Sequence, residues 1–528
     1  MAPYLPAKGH HLTLLLTVAT ATAMAPLGYD QAISPTLPPL TPNPALHRTI
    51  AALYPLGSFL GALAALYLGP SLGRKQTVLL GTGVLAAGAV LQVSAFDLGQ
   101  MVVGRVVAGV GSGVNSATAP VWLAETVRVR WRGGFVGGGV FGFLLGGLVL
   151  GSWVVYGFST SGEWRAPVAV QLVFVVVVVA MVPWLPESPR WLIAEDRIDE
   201  ANAILANLED KDRFDPFVIT QSKAIQRAVQ VRCERQDFLP WRDVPHEQAT
   251  ESASCLRRLA LGMGVQAMQQ LSGVSVTSYY LPLVLTQSVG LSEHHSHLLA
   301  ACSSASYLLS SLISVPVVER WGRRKTMMYS ALGQGLCFTG ITICLRYDET
   351  HLDSELRCRF AEASVAFFFL FYVFFGVGWQ GIPWLYPAEV NSLSMRTRSA
   401  ALGAATNWIV SFAVVEVTPR GISGLGWRFC IIWTVLNLAF VPAVYLFCPE
   451  TAGRTLEDMD RVFQDNQGAF MFRNAEAACS KRPRRYIEME WEERGVSTMP
   501  SQLQSIFKAT MAADNPTERL CDTSHSAP

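Results

Sequence analysis

The chain has 528 residues, a formal net charge of +1 and 15% charged side chains, against roughly 25% in an ordinary globular protein. Apolar residues make up 51% and the mean hydropathy is +0.30, which points to a membrane protein diluted by polar loops. The near-neutral balance gives no basic field for nucleic acid. Ten scattered cysteines with no C-x-x-C pair argue against a zinc site or a disulfide framework.

In chain order, about twelve apolar segments are long enough to span a bilayer. Their approximate limits are 12–33, 50–68, 77–96, 101–122, 134–156 and 167–185, then 259–286, 298–318, 326–345, 364–386, 400–418 and 427–447. Lys8 and Ala23-Met24-Ala25 imitate a secretory signal, but many spans follow, so the first is expected to be retained. The expected plan is a short N-terminus (1–11), a six-helix half (12–185), a polar linker with short helices (186–258), a second six-helix half (259–447) and a largely flexible tail (448–528).

Charge placement predicts orientation. Arg74 and Lys75, Arg128, Arg130 and Arg132, Arg320, Arg323, Arg324 and Lys325, and Arg396 and Arg398 all fall in alternate loops. By the positive-inside rule these loops, the linker and both termini are cytoplasmic.

The two halves repeat. Gly73-Arg74-Lys75 follows the second span and Gly322-Arg323-Arg324 the eighth; Glu125 precedes Arg132 by seven residues, as Glu389 precedes Arg396. Glu187 closes the sixth span and Glu450 the twelfth. From Glu125 to Glu187 is 62 residues (187 − 125) and from Glu389 to Glu450 is 61 (450 − 389). Such repetition implies parallel halves related by an axis along the membrane normal, with a site at their interface. The fold class expected is an all-α membrane protein with twelve transmembrane helices in two pseudo-symmetric six-helix halves.

Two features carry chemistry. Gln266, Gln269, Gln270 and Gly273 share one face of the seventh span by helical spacing. Hydrocarbon cannot satisfy amides, so they brace a neighbouring helix or wall a wet chamber for a hydroxylated solute. Asp30 is the only acid of the first span and Arg105 lies in the fourth. A charge at mid-bilayer costs about 2.5–3.5 kcal/mol on insertion scales, so it tends to be paired or functional. An aspartate that gains and loses an arginine partner can load and release a proton. A wet aspartate near one face is the alternative. Glycines crowd the fourth and fifth spans, and Gly109-Val110-Gly111-Ser112-Gly113 is read as close helix packing, not nucleotide binding.

Over roughly residues 20–463 the chain resembles the sugar porter family of the major facilitator superfamily. The resemblance rests on Gly28-Tyr29-Asp30-Gln31, Gly104-Arg105, Pro186-Glu187-Ser188-Pro189-Arg190, Gln269-Gln270-Leu271-Ser272-Gly273, Arg320-Trp321-Gly322-Arg323-Arg324, Pro383-Trp384, Asn407-Trp408 and Pro449-Glu450-Thr451. It implies alternating access. It also implies solute contacts at Gln269, Gln270, Trp384 and Asn407 and proton coupling through Asp30 with Arg105. The charges at the cytoplasmic end, Glu125 with Arg132, Glu389 with Arg396, and Glu187, Glu450, Arg74 and Arg323, are read as exposed pairs that together gate a two-state transporter. Two positions depart: the family's fifth-helix glutamine is Phe141 and its asparagine after the glutamine motif is Ser275. Both remove an amide, so the pocket is expected to be less polar than a hexose site.

The expected function is secondary transport of a sugar, polyol or related small hydroxylated solute with a proton, by a monomer in the plasma membrane. No enzyme activity and no cofactor are expected. The alternatives are an exporter of a less polar metabolite and a transporter-like sensor signalling through its tail.

Overall fold

A computed structural model describes residues 8–34, 44–127, 141–159, 163–223, 225–226, 246–287, 290–349, 354–391, 395–454 and 456–466, together with 468, 470, 471 and 477. The first half holds α1 (Gly9–Ile33), α2 (Pro44–Leu72), α3 (Arg74–Val93), α4 (Leu98–Thr126), α5 (Phe141–Phe158) and α6 (Arg165–Met181). The linker holds α7 (Pro189–Ala194), α8 (Ile198–Glu209) and α9 (216–223). The second half runs α10 (His246–Gln269), α11 (Ser275–Gln287), α12 (Glu293–Trp321), α13 (Arg323–Glu349), α14 (Ser354–Gly378), α15 (Ile382–Val390), α16 (Arg396–Leu425) and α17 (Arg428–Phe447), followed by α18 (Leu456–Asp465).

Two expected spans are each split, so the second half has eight helices where six spans lie. Between α10 and α11 the chain makes a π turn over Gln270–Val274, with Gly273 at φ 96°. Only glycine takes that conformation cheaply. The regular spacing that would place Gly273 on the glutamine face therefore ends at Gln270. Between α14 and α15 the helix stops at Trp379–Gly381 and restarts with proline in its first turn, as the missing proline N–H and fixed φ require. Among the described residues nine helices are long and apolar enough to cross a membrane; in the fourth, Arg105, Asn115 and small residues dilute the hydropathy.

The halves pack alike. α3 lies against α4 and α6 as α13 lies against α14 and α17. The halves meet where α2 packs on α16 and α5 on α12, with α1 touching α11 and α4 touching α16. Small residues permit the closest approaches. A Cβ on Gly113 would stand 2.1 Å from the Ser58 carbonyl of α2, so no larger residue fits. The linker helices sit under the first half: α7 is capped by Ser188, and Trp191 Nε1 donates to the Pro70 carbonyl at 2.8 Å.

Candidate functional site

The carboxamide cluster lies where the two split spans face each other. Gln266, Gln269, Gln270, Ser275 and Asn407 are all buried. Asn407 on α16 donates to Gln266 Oε1 at 2.8 Å and to Gln269 Oε1 at 2.7 Å, and accepts from Gln270 Nε2 at 2.9 Å. Ser275 donates to Gln270 Oε1 at 2.6 Å. Prolines explain the rest. Pro387 has no N–H for the Pro383 carbonyl four residues back, and Gln266 Nε2 donates to that carbonyl at 2.9 Å. The Trp379 carbonyl, four before Pro383, receives Gln269 Nε2 at 2.7 Å, and the Gln380 carbonyl receives it at 3.2 Å. Gln266 thus spends one N–H, and Gln269 both of its own, on backbone that the tenth span leaves bare. Gln270, at 9% exposure the most open of the amides, keeps one N–H free of bonds among the described residues.

The second centre is the Asp30–Arg105 pair. Both side chains are fully buried, so the alternative of a wet aspartate is excluded. The carboxylate accepts from Arg105 Nη1 and, at 3.1 Å, from Ser34 Oγ. Arg105 also reaches Ser34 Oγ at 2.8 Å and the carbonyls of Ile50 and Ala51, and stands 5.1 Å from the Tyr54 ring centre. The pair belongs wholly to the first half. Tyr279 of α11 approaches the pair from the second half and packs with Tyr280, Ala51, Ala52 and Val415.

At the arginine-rich end each half carries the same charge lock. Glu187 accepts from the backbone N–H groups of Arg74 and Lys75 at 3.0–3.2 Å, and Glu450 from those of Arg323 and Arg324 at 2.8 and 3.1 Å. Each carboxylate therefore seats on a helix N-terminus, where the dipole favours it. Arg74 grips Glu125 through two bonds of 2.9 and 3.0 Å, and Arg323 binds Glu389 at 3.0 Å. Ser188 and Thr451 donate to those glutamates at 2.5 and 2.6 Å. Burial pushes the Glu187 carboxyl above its ordinary range, against the opposing pull of the backbone N–H groups. Gly73 and Gly322 turn at φ 84° and 88°, directly over Glu187 and Glu450.

A sequence profile described as "Sugar (and other) transporter" matches residues 29–463. The chain belongs to this transporter family. It is 46% identical over 93% of its length to the MFS-type transporter oryC of Aspergillus oryzae, 93% of which is covered. It is 33% identical to the Sugar transporter STL1 of Saccharomyces cerevisiae, over 86% of this chain and 82% of that protein. Among solved structures, the proton:xylose symporter XylE bound to 6-bromo-6-deoxy-D-glucose matches with a TM-score of 0.71 at 17% identity, covering 85% of this chain and 99% of that one. That likeness carries the fold: twelve helices in two halves.

In this transporter the structure gathers Gln266, Gln269, Gln270, Ser275 and Asn407 into one cluster, with Trp384 half-buried one residue beyond the Pro383 carbonyl. It pairs Asp30 with Arg105. Phe141 opens α5, but its side chain lies outside the described residues, as does all of Arg132. Glu125 and Glu389 pair with Arg74 and Arg323, across helices. Arg396 is half-buried at the start of α16. The arginine-rich charges are not the exposed pairs that spacing suggested: Arg74 and Glu125 are 8% and 13% exposed. No acid lies in the turn from Gly69 to Gly73; Glu187 and Glu125 supply both carboxylates of the first lock.

Ser188, Thr451, Ser34 and the bare carbonyls at 379–383 escaped sequence reasoning. For the carbonyls a signal existed: prolines at 383 and 387, four apart, facing glutamines at 266 and 269.

Proposed function

We propose that the chain carries an uncharged or weakly polar hydroxylated solute across the membrane together with a proton, by alternating access. The observation that carries this reading is the carboxamide cluster between two split helices, with Gln270 as its most open amide, one N–H of which is free of bonds among the described residues. Such a site offers few polar contacts, which suits a small polyol better than a hexose with a full ring of hydroxyls. The names of relatives agree in kind: a sugar transporter and, in fold, a proton:xylose symporter. Asp30 is the proton-carrying group. While Arg105 stays beside it, Asp30 is held as a carboxylate; a change of state that parts the two side chains lets the proton on. The buried locks at Glu125, Glu187, Glu389 and Glu450 keep the arginine-rich end of each half rigid, so the halves rock as bodies and not by bending. That end, the linker and both termini face the cytoplasm of a monomer in the plasma membrane.

The bonding of all four amides to one another and to backbone also favours a second reading, export of a less polar metabolite. One assay serves both. The full chain is placed in liposomes and solute flux is followed in each direction with and without a proton gradient. Gln270→Ala is expected to raise KM about tenfold or more. Asp30→Asn is expected to abolish gradient-driven accumulation while leaving solute exchange in place. Unchanged accumulation by Asp30→Asn ends the coupling assignment.

A further inference from the structure

Beyond the carboxamide cluster, away from the arginine-rich end, a cavity of about 30 Å³ lies between the halves, room for one or two waters. It is set there by chain direction: Thr277 and Ser278 follow Ser275 along α11. Its polar lining is Ser152 of α5, Thr277 and Ser278 of α11, His297 and Ser304 of α12, and Tyr372 of α14. Ala32, Leu148 and Val155 of the first half close the other side. A space walled by both halves widens when they part, so it lies on the path a solute takes.

The lining is short of donors. Ser152 spends its proton on the Leu148 carbonyl at 2.8 Å, Thr277 on Val274 at 2.9 Å and Ser304 on Ala301 at 2.8 Å. These hydroxyls have only lone pairs left to offer. The Tyr372 and Ser278 hydroxyls, which lie close to each other, can each still donate or accept, as can the neutral imidazole of His297. Three acceptor-only hydroxyls beside these groups fit a ligand that brings its own O–H groups; a carboxylate brings none and leaves those three unpaired. Glu293, one turn away on α12, repels an anion from His297.

We propose that this cavity is an outer subsite of the transport path, taking the far hydroxyls of an uncharged polyol while Gln270 holds the near end. His297 makes the gripping contact. The inference rests on the transport reading above and names its solute class. It predicts that chain length matters: a three-carbon polyol reaches the amides alone, and a six-carbon polyol fills both places.

The test uses the full chain in liposomes, with glycerol, a six-carbon alditol and the corresponding aldonic acid as probes. The wild type is expected to favour the alditol over the acid at least tenfold. Ser304→Leu, which fills the cavity, and His297→Ala are each expected to raise KM for the alditol about tenfold while leaving glycerol within twofold; His297→Gln restores most of the loss. Thermal unfolding in detergent checks that each variant folds. If both variants leave the alditol KM within twofold while Gln270→Ala still raises it, the subsite is wrong and the transport reading stands. If the wild type moves none of the polyols, the transport reading itself falls.

Discussion

The pairing of glutamines with proline-freed carbonyls makes a quantitative prediction. Gln266→Ala removes two bonds, the one to the Pro383 carbonyl at 2.9 Å and the one from Asn407 at 2.8 Å. Hydrogen bonds between membrane helices average about 0.6 kcal/mol and reach about 1.7, so the cost is about 1–3 kcal/mol. Pro387→Ala supplies the N–H that α15 lacks, and the Pro383 carbonyl then has a partner inside its own helix. Proline ring contacts near Gly262 and Gly403 are lost, so this variant alone is roughly neutral or mildly destabilising. Together, Pro387→Ala is expected to recover about 1 kcal/mol of the Gln266→Ala loss. The four proteins of the cycle are unfolded at equilibrium in detergent, and the coupling is read from the non-additivity. Independent sites add within about 0.3–0.5 kcal/mol; additivity of that order, or a larger loss in the double variant, refutes the claim that Gln266 stands in for the missing N–H.

Two other outcomes follow from the packing and the locks. Gly113→Ala is expected to abolish folded yield in fluorescence-detected chromatography, because its Cβ meets the Ser58 carbonyl at 2.1 Å, while Gly146→Ala, with no atom within 4 Å, is silent; equal yields dispose of the close-approach argument. Glu450→Ala strands backbone N–H groups of Arg323, Arg324, Thr451 and Ala452. It should cost about 2–4 kcal/mol of thermal stability, with Glu450→Gln losing less because one acceptor oxygen remains; a Gln variant as damaged as the Ala variant would show that charge, not hydrogen-bond acceptance, holds the lock.

The charge locks show how far spacing carries. Glu125 and Arg132, or Glu389 and Arg396, stand seven apart and invite pairing along the chain. The carboxylates bind Arg74 and Arg323, which are 51 and 66 residues away. A repeat in sequence reveals that a constellation occurs twice; it does not reveal which of its members touch. The glutamine face tells the same story from the other side. Its amides were legible as groups that hydrocarbon cannot satisfy, but their partners are backbone carbonyls, which carry no side-chain signature.

Composition, span lengths and the internal repeat were enough by themselves to read a two-lobed helical membrane protein, because the bilayer demands long apolar helices and duplication leaves its mark at fixed offsets; the motifs shared with the family supplied transport. The family's glutamine, aspartate and arginine positions were readable for the same reason: a polar group in hydrocarbon stands out. Tertiary structure alone decided that the seventh and tenth spans break, that Gln266 and Gln269 repair the break, and that Asp30 is fully buried against Arg105. Those facts depend on what lies opposite each residue in space, and a satisfied hydrogen bond has two ends of which a linear pattern displays one.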